Sequence, residues 1–151
     1  MKPNVHRDDR GFVVKRWNAV AFAELGLPNF VPDNHSRSTY GTLRGLHFLA
    51  PPRAQAKLVS AVVGRVFDAA VDLRSASPTY GRWAGIVLDG DDPAWLWVPP
   101  GFANGFLTLS EDAEVLYKAS DAYAPEAEGG LAWDGPEVAI ARPFEPGRAP
   151  T

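Results

Sequence analysis

The sequence contains no cysteine, so a disulfide framework is excluded and nothing in the thiol chemistry points to export. It also lacks any apolar run near the roughly 20 residues needed to cross a bilayer, which excludes a membrane-spanning helix. The opening residues, Met1 to Phe12, have no apolar stretch of the signal-peptide kind, and the expected compartment is the cytoplasm. Histidine is scarce: His6, His35 and His47 are the three present. They form no tight His-x-His pair beside a carboxylate, so no metal is expected. Charge of one sign is lacking too, with 15 Lys and Arg against 18 Asp and Glu for a net charge of -3. No basic run offers a field for nucleic acid, and any phosphate must be met by a few placed arginines.

What the chain does have is frequent punctuation and short apolar runs. Its 151 residues suit one domain spanning 1–151. Fourteen glycines and fourteen prolines separate segments rich in Val, Leu, Phe, Trp and Tyr, the rhythm of an all-β domain. Strands are predicted at Gly11 to Trp17, Leu43 to Leu49, Lys57 to Val63, Arg65 to Leu73, Gly81 to Leu88, Trp95 to Val98, Gly105 to Leu109 and Glu114 to Ala119. So many short strands suit a closed or double-sheet architecture. Gly64-Arg65 reads as a tight hairpin turn. One short helix is expected over Ala19 to Leu25, capped by Asn18 and stopped by Gly26 before Pro28. The tail from about Pro143 has no strand period and is expected to be a loose arm.

Alternation through Arg65 to Arg74 sends Phe67, Ala69, Val71 and Leu73 to one face and Asp68, Asp72 and Arg74 to the other. In an open antiparallel sheet the second face is solvated; in a small barrel it lines a polar lumen. Asn34-His35-Ser36-Arg37 and Leu43-Arg44-Gly45-Leu46-His47 concentrate histidines and arginines. These types accept a proton near neutral pH or hold an anionic oxygen. By residue type alone His47 reads as a core histidine, but Lys57 on the next predicted strand brings a cation within reach. Strict alternation puts Arg44 and His47 on opposite faces. For both to serve one site the strand must bulge, and Gly45 is the residue that permits it. Tyr117, in a strand, is either core or a proton donor.

Together these segments resemble a known family. Asp9-Arg10-Gly11-Phe12, Asp33-Asn34-His35-Ser36, Leu43-Arg44-Gly45-Leu46-His47, Gln55-Ala56-Lys57-Leu58-Val59 and Val66-Phe67-Asp68-Ala69-Ala70-Val71-Asp72 come in this order. Ser77-Pro78-Thr79-Tyr80-Gly81, Trp97-Val98-Pro99-Pro100-Gly101-Phe102 and Leu116-Tyr117-Lys118 follow. From Arg10 to about Ile140 the chain is similar to the dTDP-4-dehydrorhamnose 3,5-epimerases, the sugar-nucleotide epimerases of rhamnose biosynthesis. The resemblance implies a cupin-type double-stranded β-helix, or jelly roll, that works as a homodimer without a cofactor. It implies an isomerase acting at C3, C5 or both of a nucleotide-activated 4-keto-6-deoxy sugar. His47 would be the base, Tyr117 the opposing acid, and Lys57 with Arg44 would hold the enolate oxygen and anchor the substrate. Arg10, on the N-terminal strand, would reach the nucleotide of the partner subunit. Asn34, Asn104 and Tyr123 would be further substrate contacts.

The chain departs from the pattern at Asn104, where the family usually has histidine, at Val13 and Lys15, and at Pro32. The family aspartate that orients the catalytic histidine belongs to a segment beyond Thr151. Another acceptor is therefore expected beside His47, with Asp68 the first candidate and Asp72 the next. Two other readings stand beside the epimerase: a related cupin that moves the keto group between C3 and C4, and a non-catalytic sugar-nucleotide binding domain.

Overall fold

The computed structural model describes residues 1–136, 138–141 and 143. The loose arm expected from Pro143 onward otherwise lies outside the described residues. In chain order the described residues form β1 (Val5–Asp8), β2 (Gly11–Val14), α1 (Ala19–Glu24), β3 (Asp33–Thr39), β4 (Leu43–Leu49) and β5 (Lys57–Val63). There follow β6 (Arg65–Asp72), β7 (Trp83–Asp89), β8 (Leu96–Val98), β9 (Phe102–Thr108), β10 (Asp112–Ala119) and β11 (Glu128–Gly130), with a 3₁₀ turn at Pro125–Ala127 before the last.

β1 and β2 form a hairpin of their own. The other strands make two antiparallel sheets, one ordered β3-β10-β5-β8 and the other β11-β4-β9-β6-β7. Along the chain β3, β4, β5 and β6 alternate between the sheets, so each short connection carries the backbone from one sheet to the other, as in a jelly roll. The sharpest crossing is at Gly64, with φ of 65°. A Cβ there would sit 2.1 Å from the Asp112 carbonyl oxygen, so only glycine fits.

Two apolar layers result. Val59, Ala61, Ala113 and Val115 of the first sheet meet Val66, Leu88 and Phe106 of the second, which glues the sheets face to face. On the outer side of the second sheet, Leu46, Phe67, Ala69, Val71, Ala103 and Leu107 pack under Trp133 and Ile140. β6 is thus covered on both faces. Its polar residues do not meet bulk water as in an open sheet: Asp68 is 0% and Asp72 1% exposed.

β4 and β5 begin and end where the sequence puts them. β9 starts at Phe102, three residues before the predicted Gly105, because Phe102, Ala103 and Asn104 continue the ladder against Asp72, Val71 and Ala70. α1 runs one residue short, and the Asn18 side chain accepts from the Val20 and Ala21 amides at 3.1 and 3.2 Å, the expected cap. No described helix is long and apolar enough to cross a membrane.

Candidate active site

At one end of the space between the sheets the apolar packing gives way to a cavity of about 640 Å³. Its polar walls come from both sheets. β3, β5 and β10 contribute Asn34, Ser36, Lys57 and Tyr117; β4 and β9 contribute Arg44, His47 and Asn104; Tyr123 and Glu128 border it from the segment that ends in β11.

Arg44 and His47 reach the same cavity because β4 is bulged. Arg44 is paired with Phe106 and His47 with Asn104. Three steps along β4 therefore match two along β9, which cancels the half-period that would separate their side chains. The extra residue sits at Gly45, with φ of 116°. A Cβ on Gly45 would lie 2.7 Å from Gly105 Cα and 2.8 Å from the Asn104 oxygen, so the two glycines let the strands touch at this point. Arg44 then spans the sheets, its Nε donating to Ser38 Oγ at 2.8 Å.

Lys57 points inward with its Nζ 3.5 Å from the His47 carbonyl oxygen. Burial drives its ammonium pKa down, while the charges of Asp68 and Glu128 hold it up. Tyr117 is paired with Val59 on one side and Asn34 on the other, and Asn34 Nδ2 donates weakly to the Tyr117 carbonyl at 3.4 Å.

The carboxylate beside His47 is Glu128, with Oε1 3.6 Å from the ring Nδ1. Asp68, the sequence candidate for that place, turns instead to Asn104, whose Nδ2 donates to its Oδ1 at 2.6 Å. The reason is register: Asp68 lies across from Phe106, and His47 lies across from Asn104 on the far side of β9, so the amide stands between the carboxylate and the imidazole strand. Burial pushes the Asp68 carboxyl up to about 7, against the pull of Asn104 and Lys57. Asp72 belongs to a different group. Arg74, Ser77 and Thr79 all donate to it and hold its carboxyl far below the usual range.

Glu128 was not legible as a site residue. It lies in a three-residue strand, Glu-Gly-Gly, too short for a period. Tyr123 OH donates to its Oε2, a bond that raises the phenol pKa. Gln55 Nε2 fastens the same segment by donating to the Asp121 and Ala122 carbonyls at 2.7 and 3.0 Å. Arg10 borders no part of this cavity; it lies at the tip of the β1–β2 hairpin, paired with Asp8, its side chain 89% exposed. Among the described residues no group of three His, Asp or Glu side chains is set to hold a metal ion.

The site is thus a polar cleft between two sheets, with an imidazole and a phenol from opposite walls and two cationic side chains lining it as well. Such a set suits proton transfer at carbon beside a carbonyl. A family model described as dTDP-4-dehydrorhamnose 3,5-epimerase matches residues 1–148. The relative so described from Pseudomonas aeruginosa is 51% identical over 146 residues, covering 95% of this chain and 80% of its own. That from Salmonella typhimurium is 48% identical over 146 residues with the same coverage. Among solved structures, the dTDP-6-deoxy-D-glucose-3,5-epimerase of Legionella pneumophila in complex with dTDP-4-keto-L-rhamnose superposes with a TM-score of 0.91 at 44% identity, covering 96% of this chain and 78% of that one. ChmJ, a 3'-monoepimerase from Streptomyces bikiniensis in complex with dTDP-quinovose, gives 0.92 at 31% identity, covering 100% and 76%.

Proposed function

Because the chain belongs to the dTDP-4-dehydrorhamnose 3,5-epimerase family, we propose that His47 is its base, Tyr117 its opposing acid and Lys57 the cation for the enolate oxygen. The protein is an isomerase that epimerises a nucleotide-activated 4-keto-6-deoxy sugar at C3, C5 or both.

The chemistry asks for three things. The 4-keto group acidifies the hydrogens on C3 and C5, so a base must take one from carbon. The negative charge that moves to the carbonyl oxygen must be met by a fixed donor. Inversion requires the new proton to arrive from the other face of the ring. With Glu128 toward Nδ1 of His47, Nε2 is the nitrogen free to take the proton, and Glu128 is the positioning carboxylate in this reading. Lys57, little hydrated inside the cleft, donates to the oxyanion, and Tyr117 delivers a proton from the opposite wall. Arg44 and Asn34 hold the sugar, with Tyr123 at the rim. The observation that carries this assignment is that His47 and Tyr117 border one cavity from different sheets while Lys57 borders it too.

The nucleotide is read as dTDP, since the Legionella and Streptomyces relatives hold dTDP-sugars. The working unit is read as a homodimer of single cupin-type domains, the β1–β2 hairpin bringing Arg10 to the partner's cleft. Supporting this, Phe12 is 47% and Val13 73% exposed on that hairpin, apolar surface that a second subunit would cover.

The test is incubation with a dTDP-4-keto-6-deoxyhexose in deuterated water, with NMR reading C3 and C5. Deuterium should enter at one or both positions, and His47→Asn should lower its entry by at least about a thousandfold. Undiminished exchange in that variant would remove His47 as the base. Light scattering should give twice the chain mass, and a monomer that still turns over would refute the shared cleft.

A further inference from the structure

Asn104 is 8% exposed and borders the cavity, and its side-chain amide has only one orientation open to it. Nδ2 carries two hydrogens. One goes to Asp68 Oδ1 at 2.6 Å and the other to the Ala69 carbonyl oxygen at 3.1 Å. A backbone carbonyl can only accept, so turning the amide over would set oxygen against oxygen at Ala69 whatever the protonation of Asp68. Oδ1 is the remaining polar atom, an acceptor with no hydrogen to give, and it is what a ligand at this wall meets.

From this geometry we propose that Asn104 presents a fixed acceptor to the bound sugar, selecting a ring hydroxyl there and refusing a ketone, ether or phosphate oxygen, with Asp68 as its positioning residue. The proposal rests on the reading that the cleft holds a keto sugar. It adds a polarity to one wall of the cleft. Arg44 and Lys57 are donors and suit carbonyl or phosphate oxygens, whereas Asn104 suits an O–H, so the three together give the sugar ring one sense of orientation. It also gives the departure at this position a chemical content. A histidine, as the resembling family usually has here, can donate or accept by choice of tautomer; the locked amide can only accept.

A pair of analogues reads this directly on the wild-type protein. Binding of a dTDP-4-keto-6-deoxyhexose is compared by calorimetry with its 2-deoxy, 2-deoxy-2-fluoro, 3-deoxy and 3-deoxy-3-fluoro forms. At one of the two carbons, loss of the hydroxyl should weaken binding about tenfold or more, as expected of a site built around a donor. At that carbon fluorine, an acceptor of similar size, should bind no better than hydrogen, because it faces Oδ1. Fluorine binding better than hydrogen at both carbons, or no loss at either, would overturn the proposal.

Asn104→Ala then supplies the second arm. Its kcat/KM for C5 exchange, which all these sugars retain, should fall on the parent and stay level on the sensitive analogue. Equal falls on every sugar would overturn the proposal. If Asn104→Ala does not fold, the wild-type binding series still decides. Absence of any C3 or C5 exchange in the wild type would sink the epimerase reading instead, leaving the binding series to judge Asn104 on its own.

Discussion

Replacing Asp68 by Asn should make the protein more stable at pH 8 and leave it almost unchanged at pH 4. Asp68 is fully buried, its Oδ1 accepts from Asn104, and its Oδ2 has no hydrogen-bond partner among the described residues. Burial lifts its pKa from 3.8 to about 7. Between those values the folded chain keeps a proton that the unfolded chain has released, so stability falls as pH rises through that window. At roughly 1.4 kcal/mol per unit, three units set a ceiling of about 4 kcal/mol above pH 7. Asparagine keeps the acceptor for Asn104 and carries no charge, so it removes this cost. We expect a gain of about 2 to 4 kcal/mol at pH 8, or about 3 °C in Tm per kcal/mol for a chain of this size. The assay is urea unfolding from pH 4 to 8, followed by fluorescence of the tryptophans.

The same substitution carries a functional signature. Asp68 is one of two charges holding up the pKa of the buried Lys57 ammonium. Without it, the alkaline limb of the exchange rate should move to lower pH, as Lys57 loses its proton earlier. A variant equally changed at pH 4 and pH 8, or less stable at pH 8, would refute the reasoning. It would mean that the carboxylate is ionised and held as a favourable pair with Lys57.

Glu128→Gln keeps the shape of the group beside His47 and removes its charge; deuterium entry should fall at least about tenfold with Tm little changed, and an unchanged rate would leave His47 without an orienting carboxylate. Gly45→Ala forces a Cβ into the backbone of Asn104 and Gly105 at a residue with φ of 116°. It should cost more than about 3 kcal/mol in thermal unfolding, and full stability would show that the bulge can be rebuilt without close strand contact. Asn18→Ala removes the cap of α1, which contributes no residue to the cleft wall, and should cost about 1 kcal/mol by urea unfolding with kcat/KM unchanged.

Much of this was legible where one physical signal dominated. β4, β5 and β6 show as apolar alternation between strong breakers, and the Gly64 turn and Asn18 cap show as residue types with one local use. Need for a bulge at Gly45 followed from asking Arg44 and His47 to share a site. β3 was missed because Asn34, Ser36 and Ser38 point inward and are polar; a strand that lines a cleft has no apolar face to betray it. Alternation leaves the burial of Asp68 open, because it tells which residues share a face, and only the second sheet tells whether that face is wet. Glu128 needed tertiary structure outright, since its approach to His47 comes through the pairing of Gly130 with that residue.

The alternation of the chain between two sheets has a stereochemical consequence. In the proposed reading, a sugar ring held in the cleft turns one face toward His47 on the sheet of β4 and β9 and the other toward Tyr117 on the sheet of β5 and β10. Removal of a proton is then written on one sheet and its return on the other. On that reading, substitutions confined to the β10 wall alter how the proton returns without touching the group that starts the reaction.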